Sequence, residues 1–149
     1  MREREPVLRA LRAQVQLEIV HAAAEVAQAA EATEHAHSQV ARLEQRAEFF
    51  LGELRLVLGR PQLNAALLAT MRRGHRAEQS ELRRWQSRHS VAQRQEQRVR
   101  EGLADLRNQE RSLERALQAA RRKHELRLLA LDMLRSDELW LQHSFRESA

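Results

Sequence analysis

Seven histidines, at positions 21, 35, 37, 75, 89, 124 and 143, are the side chains of this chain best suited to chemistry. Imidazole can ligate a metal or move a proton near neutral pH. Metal ligation from a helix wants two of them four residues apart on one face, with an acidic third ligand. No pair here meets that requirement, and His35 and His37, two apart, do not share a helix face. There is no cysteine, which excludes thiolate metal sites and a disulfide framework. The four glycines, at 52, 59, 74 and 102, are too dispersed to build the phosphate-cradling GxxxxGKS/T or GxGxxG loops. His89 and His124 fall on an apolar stripe beside Glu96 and Glu110, and polar residues in such a stripe more often fix register than do catalysis. The residues therefore predict no metal, no cofactor and no enzyme.

What must position these side chains is a pair of long helices. Leu82, Trp85, His89, Ala92, Glu96, Val99, Leu103, Leu106, Glu110, Leu113, Leu117, Ala120 and His124 recur at alternating spacings of three and four. That is the 3.5-residue repeat of a coiled-coil seam. A matching seam lies upstream in Ile19, Ala22, Val26, Ala29, Thr33, Ala36, Val40, Leu43, Ala47, Phe50, Leu54 and Val57. It is slimmer and rich in Ala, so small residues face large ones. Gly59-Arg60-Pro61 is the strong break between the two, with Gly59 suited to a left-handed cap. The expected architecture is all-α: one long antiparallel two-helix coiled-coil hairpin spanning residues 1–149. Helix one is expected near 6–58, with Pro6 in its first turn, a tip near 59–74, and helix two near 75–146.

The register depends on the tip. A turn of residues 59–61 alone would set Leu8 against residue 112 and leave nearly 40 residues overhanging. A tip of 59–74 would set Leu8 against Glu125 and leave about 20, and it buries more of both seams. The broader tip is therefore the expectation.

Composition agrees with long helices. Charged residues make up 32% of the 149 and aromatics only 3%, which is too little for a compact globule. A core one seam wide predicts modest stability alone and more when bound. No apolar run approaches the length of a membrane span, and the N-terminal residues lack an apolar signal core, so a soluble cytoplasmic protein is expected.

Of 26 basic residues, only Lys123 is not Arg. That bias fits a GC-rich genome, which favours Arg codons, better than it fits phosphate or acidic-partner recognition. Residues 72–100 hold nine Arg against three Glu, a local +6, whereas residues 13–41 hold four Glu and no Arg or Lys. Nucleic-acid binding would call for aromatics interleaved with the basic residues on one face. Trp85, the one aromatic in that stretch, is on the seam, which argues against nucleic acid and for an acidic protein partner or a solvated face.

Two places carry more apolar surface than a hairpin needs. In Leu126–Leu134 seven of nine residues are apolar, around nearly the whole helix, where one seam requires about two in seven. Either one side meets Leu8, Leu11 and Val15 and the rest is surplus, or a second face docks on another protein. Trp140, Leu141 and Phe145 extend that face. Near the turn, Phe49, Phe50, Leu67, Leu68 and Met71 either pack locally or form a partner contact.

A soluble hairpin of this length with amphipathic ends resembles the FliJ/YscO-type stalk proteins of flagellar and virulence type III secretion systems. Residues that carry the resemblance are Leu8-Arg9-Ala10-Leu11-Arg12 at the start and Arg121-Arg122-Lys123-His124-Glu125 near the end. Leu128–Leu134 and Ser136-Asp137-Glu138-Leu139-Trp140 follow. The early tip, the Ala-rich seam and the use of Arg in place of a Lys mixture depart from the pattern. The resemblance implies a non-enzymatic central stalk, cytoplasmic and peripheral to the secretion apparatus. It would promote assembly of a hexameric export ATPase and link it to the export gate membrane protein, and some such proteins bind secretion chaperones. On that reading the ATPase end comprises Leu8, Leu11, Arg121, Arg122, Leu129, Met133, Arg135, Trp140, Leu141 and Phe145. The export-gate side comprises Phe49, Phe50, Leu67, Leu68 and Met71. The alternatives are a helical secretion chaperone, whose 126–145 face would hold a substrate helix, and a dimeric coiled-coil scaffold.

Overall fold

The structure, a computed structural model, describes residues 4–62 and 64–149. It is an all-α helical hairpin of two helices, α1 (Arg4–Leu58) and α2 (Ala65–Glu147), with no strand among the described residues. No helix is long and apolar enough to cross a membrane. Alanine, leucine, arginine, glutamate and glutamine dominate both helices, and all are strong helix formers. Glu5 in the first turn and Arg55 in the last complement the dipole of α1.

The turn is shorter than the 59–74 tip expected from sequence. α1 closes with Gly59 N–H donating to the Arg55 carbonyl at 3.0 Å and Arg60 N–H to the Val57 carbonyl at 3.2 Å. Gly59 does not adopt a left-handed conformation, and no described glycine has a positive φ. α2 begins at Ala65 because Asn64 caps it. The Asn64 side-chain oxygen accepts hydrogen bonds from Ala66 N–H (3.1 Å) and Leu67 N–H (3.3 Å), satisfying two orphan donors of the first turn. The helix then runs unbroken through Gly74, the residue that had suggested a bend. Leu63, which began the expected apolar segment of the tip, lies outside the described residues, as do residues 1–3.

By its internal packing the chain divides into two units, residues 21–103 and residues 1–20 with 104–149. Each contains a length of both helices. In the first unit every expected α1 seam residue from Ala22 to Val57 is partly or fully covered, as is every α2 seam residue from Leu82 to Leu103. The α2 stripe also starts earlier than expected, with Leu68, Met71, His75 and Glu78 covered in the same alternation. Leu43, 2% exposed, is the most deeply buried large side chain there. Cross-helix partners are Arg46 with Glu78 (3.1 Å), Phe50 stacked on His75 (4.7 Å between ring centroids) and His37 against His89 (5.5 Å). His35 meets Trp85 edge to face at 5.5 Å, and the Arg88 guanidinium lies 4.8 Å over the same indole.

In the second unit, Gln16 donates to the Glu110 carboxylate at 3.0 Å, Arg12 pairs with Glu114 at 3.7 Å, and Glu5 with Arg121 at 3.7 Å. Stepping toward the start of α1 thus moves step for step toward the end of α2, as antiparallel pairing requires. Val15 and Leu117 form its core, with Ile19, Leu106, Leu113 and Ala120 half-buried around them. Leu11 does not join the seam. It is 44% exposed, and Arg12 takes the place expected for it, with its Nε buried and without a hydrogen bond. The reason is phase: counting back from Ala22 in threes and fours gives Ile19, Val15, Arg12 and Leu8.

Candidate functional site

The two pairs Arg12–Glu114 and Glu5–Arg121 bracket Leu8, so Leu8 lies against the Leu117–Ala120 turn of α2. The expected register, with Leu8 facing Glu125, is overturned. The helix starting at Ala65 supplies about ten more paired residues near the turn, and α1 correspondingly reaches its end earlier along α2. The α1 helix as described begins at Arg4, opposite the turn that follows Arg121. The last 25 or so residues of α2 therefore have no α1 alongside them.

Exposure follows from that geometry. From Arg121 to Ala149 every residue is exposed except Ser144, whose hydroxyl donates to the Trp140 carbonyl at 2.8 Å. His124, expected as the last seam residue, is exposed as well. Leu126, Leu128, Leu129, Leu131, Met133, Leu134, Leu139, Trp140, Leu141 and Phe145 all stand open to solvent, Trp140 at 70% and Phe145 at 73%. Of the two readings of Leu126–Leu134, the one in which a side of it meets Leu8, Leu11 and Val15 is excluded. Isolated exposed leucines are ordinary, but ten large apolar residues exposed within one 20-residue stretch are a concentration of the kind that marks an interface. Arg122 and Arg135 are exposed on the same stretch, and Arg121 borders it.

Where α1 begins, the two helices leave an open groove of about 960 Å³. Ala116, Ala119 and Ala120 floor it because their side chains are too short to fill the gap, and Val7 and Leu8 form one wall. Arg4, Glu5, Lys123, His124 and Arg127 complete its lining. Sequence reasoning missed this groove. The signal available was the Ala116, Ala119, Ala120 spacing, which puts three small residues on adjoining faces of one helix.

The turn end is divided. Phe50, Leu68 and Met71 are half-buried seam residues, whereas Phe49 and Leu67 are exposed. Leu56 and Leu58, not expected from sequence, are exposed beside them. The nine arginines of residues 72–100 are all exposed, and of these Arg100 is paired, with Glu96. Among the described residues no group of three or more His, Cys, Asp or Glu side chains could hold a metal ion.

No protein-family model matches the chain, and no curated protein or solved structure matches it significantly. The class defined by fold and site is accordingly the structural one: an all-α helical hairpin with a large exposed apolar helix end.

Proposed function

We propose that this chain is a non-enzymatic coupling protein, the central stalk of a type III secretion export ATPase, cytoplasmic and peripheral to the secretion apparatus. The observation that carries the proposal is the end of α2, where ten large apolar residues stand exposed beside Arg121, Arg122 and Arg135. A fully buried large side chain gains roughly 1.5–3 kcal/mol, so several left in water favour a partner that covers them. The arginines would meet acidic groups lining a ring pore, adding specificity and association rate more than affinity. Phe49 and Leu67, with Leu56 and Leu58 beside them, are exposed apolar residues at the turn end available to an export-gate protein. A long helix whose end is held by one partner and whose turn is held by another transmits position between them without chemistry of its own.

Removing residues 136–149 deletes Leu139, Trp140, Leu141 and Phe145 from an exposed stretch, so the hairpin stays folded. Stimulation of the cognate ATPase should be abolished. Full stimulation by the truncated chain would refute the assignment of this end. Co-purification from the native host separates the remaining readings: a stalk brings down a hexameric ATPase, a chaperone an export substrate, and a scaffold only itself.

A further inference from the structure

The turn end of the hairpin carries exposed apolar side chains on more than one face. Phe49 and Leu56, 71% and 72% exposed, are seven residues apart and share a face of α1. Leu51 and Leu58, exposed and also seven apart, each lie two residues further on, about 200° round the same helix. Leu67, in the first turn of α2, is exposed as well. Among these stand five exposed arginines, Arg55, Arg60, Arg72, Arg73 and Arg76, and none of them forms an ion pair among the described residues. Against the five, residues 49–76 hold one acidic side chain, Glu53, which leaves a local +4.

We propose that this end docks on an anionic lipid bilayer, entering the headgroup layer end-on. Shape and charge both select a bilayer over a protein. A partner helix covers one face of α1, whereas a fluid surface closes round both faces of an inserted tip. Five apolar side chains are also far fewer than the roughly 20–30 residues a side of a standard protein interface. Unpaired arginines spread around an apolar end suit a surface of negative headgroups, which needs no fixed partner for each charge. Apolar area together with attraction to anionic lipids is what holds interfacial segments in place.

The depths agree. Leu56, Leu58 and Leu67 lie within about one turn of a helix end, inside the roughly 5–10 Å that interfacial segments reach. Phe49 and Leu51, about 10–14 Å back from Leu58, then stand among the headgroups. Arg72 and Arg73, about 10–12 Å into α2, reach phosphates at that level, and Arg55 and Arg60 extend their charged heads back toward water. No segment has to cross the bilayer. The inference goes beyond the coupling assignment made above and does not use it, because vesicle binding requires no ATPase.

Co-sedimentation of the full chain with vesicles tests it. Vesicles of phosphatidylglycerol and phosphatidylcholine in equal parts should carry the chain down, and vesicles of phosphatidylcholine alone should leave it in the supernatant. Phe49→Ser with Leu56→Ser should weaken partitioning on the order of a hundredfold. Arg72→Gln with Arg73→Gln should weaken it on the order of twentyfold, since each arginine near an anionic surface contributes about fivefold. Insertion has its own readout, because the chain has no cysteine. An environment-sensitive fluorophore on Leu56→Cys should shift to the blue on the anionic vesicles, and the same probe on Leu129→Cys should not. Several results would each overturn the proposal: no pelleting with the anionic vesicles, which leaves the tip to a protein; equal pelleting with both kinds; pelleting with an unshifted probe at position 56; or binding lost in Leu129→Ser with Trp140→Ser but kept in Phe49→Ser with Leu56→Ser. All these positions are exposed, and circular dichroism of each variant should match the parent.

Discussion

Leu43→Ala and Leu129→Ala are the same chemical change at two leucines with opposite surroundings, and the difference between them measures the architecture. Leu43 is 2% exposed on the α1 seam, whereas Leu129 is 57% exposed on the end of α2 that α1 does not reach. Truncating a buried leucine costs about 2–5 kcal/mol, made of lost transfer energy and the cavity left behind. A two-helix seam is open to solvent on both flanks, so neighbours can partly collapse into the gap, which puts Leu43→Ala near the lower end, about 2–3 kcal/mol. With about 3 °C of midpoint shift per kcal/mol for a chain of this size, the melting temperature should fall by roughly 6–9 °C. Leu129→Ala should stay within about 0.5 kcal/mol, as surface substitutions do, helped slightly by the better helix propensity of alanine. Thermal unfolding followed by far-ultraviolet circular dichroism gives both numbers. If Leu129→Ala lowers the midpoint as much as Leu43→Ala does, residues 126–134 are covered by this chain itself, and the exposed end described here does not exist.

Asn64→Ala should destabilise the hairpin by about 0.5–2 kcal/mol in urea denaturation, because Ala66 N–H and Leu67 N–H lose their acceptor. Gly52, Gly74 and Gly102 lie inside helices with nothing within 4 Å of where a Cβ would sit, so replacing all three by Ala should raise stability by about 1.5–3 kcal/mol in the same assay. His75→Phe should keep the ring stacked on Phe50 while deleting both the buried Nδ1, which has no hydrogen-bond partner, and the exposed Nε2 contact with Gln79 at 2.8 Å; a net increase of up to about 1 kcal/mol is expected, and a loss would show that the imidazole's hydrogen bonding outweighs the cost of the buried nitrogen.

Much of the hairpin was legible because a seam leaves a simple trace. From Ile19 to Val57 and from Leu82 to Ala120, the residues at alternating threes and fours are the ones the partner helix covers. The register was not legible, because it hangs on a few turn residues whose signals compete. Gly74 and the apolar run before it suggested a broad tip, yet Leu68, Met71 and His75 simply extend the seam, and Asn64 carries the cap that starts α2. A glycine inside a helix costs about 1 kcal/mol, which a paired seam outweighs. Leu11 was misplaced for a related reason: its hydrophobicity was given more weight than phase, which puts Arg12 on the seam. At the candidate site, the excess of apolar residues in 126–145 was visible in composition alone. That all of it is uncovered follows only from where α1 ends, and the identity of what covers it is not written in periodicity at all.

The end of α2 also behaves as an adjustable arm. Because it grows from an already nucleated helix, each added residue costs no new nucleus. An α-helix advances about 1.5 Å and turns about 100° per residue, so seven residues inserted after Glu125 would carry the apolar face outward by roughly 10 Å while rotating it by only about 20°. Two residues inserted at the same point would move it about 3 Å but swing it to nearly the opposite side. Reach and direction, which are usually tangled in a folded protein, can here be set independently by the length of a single insertion.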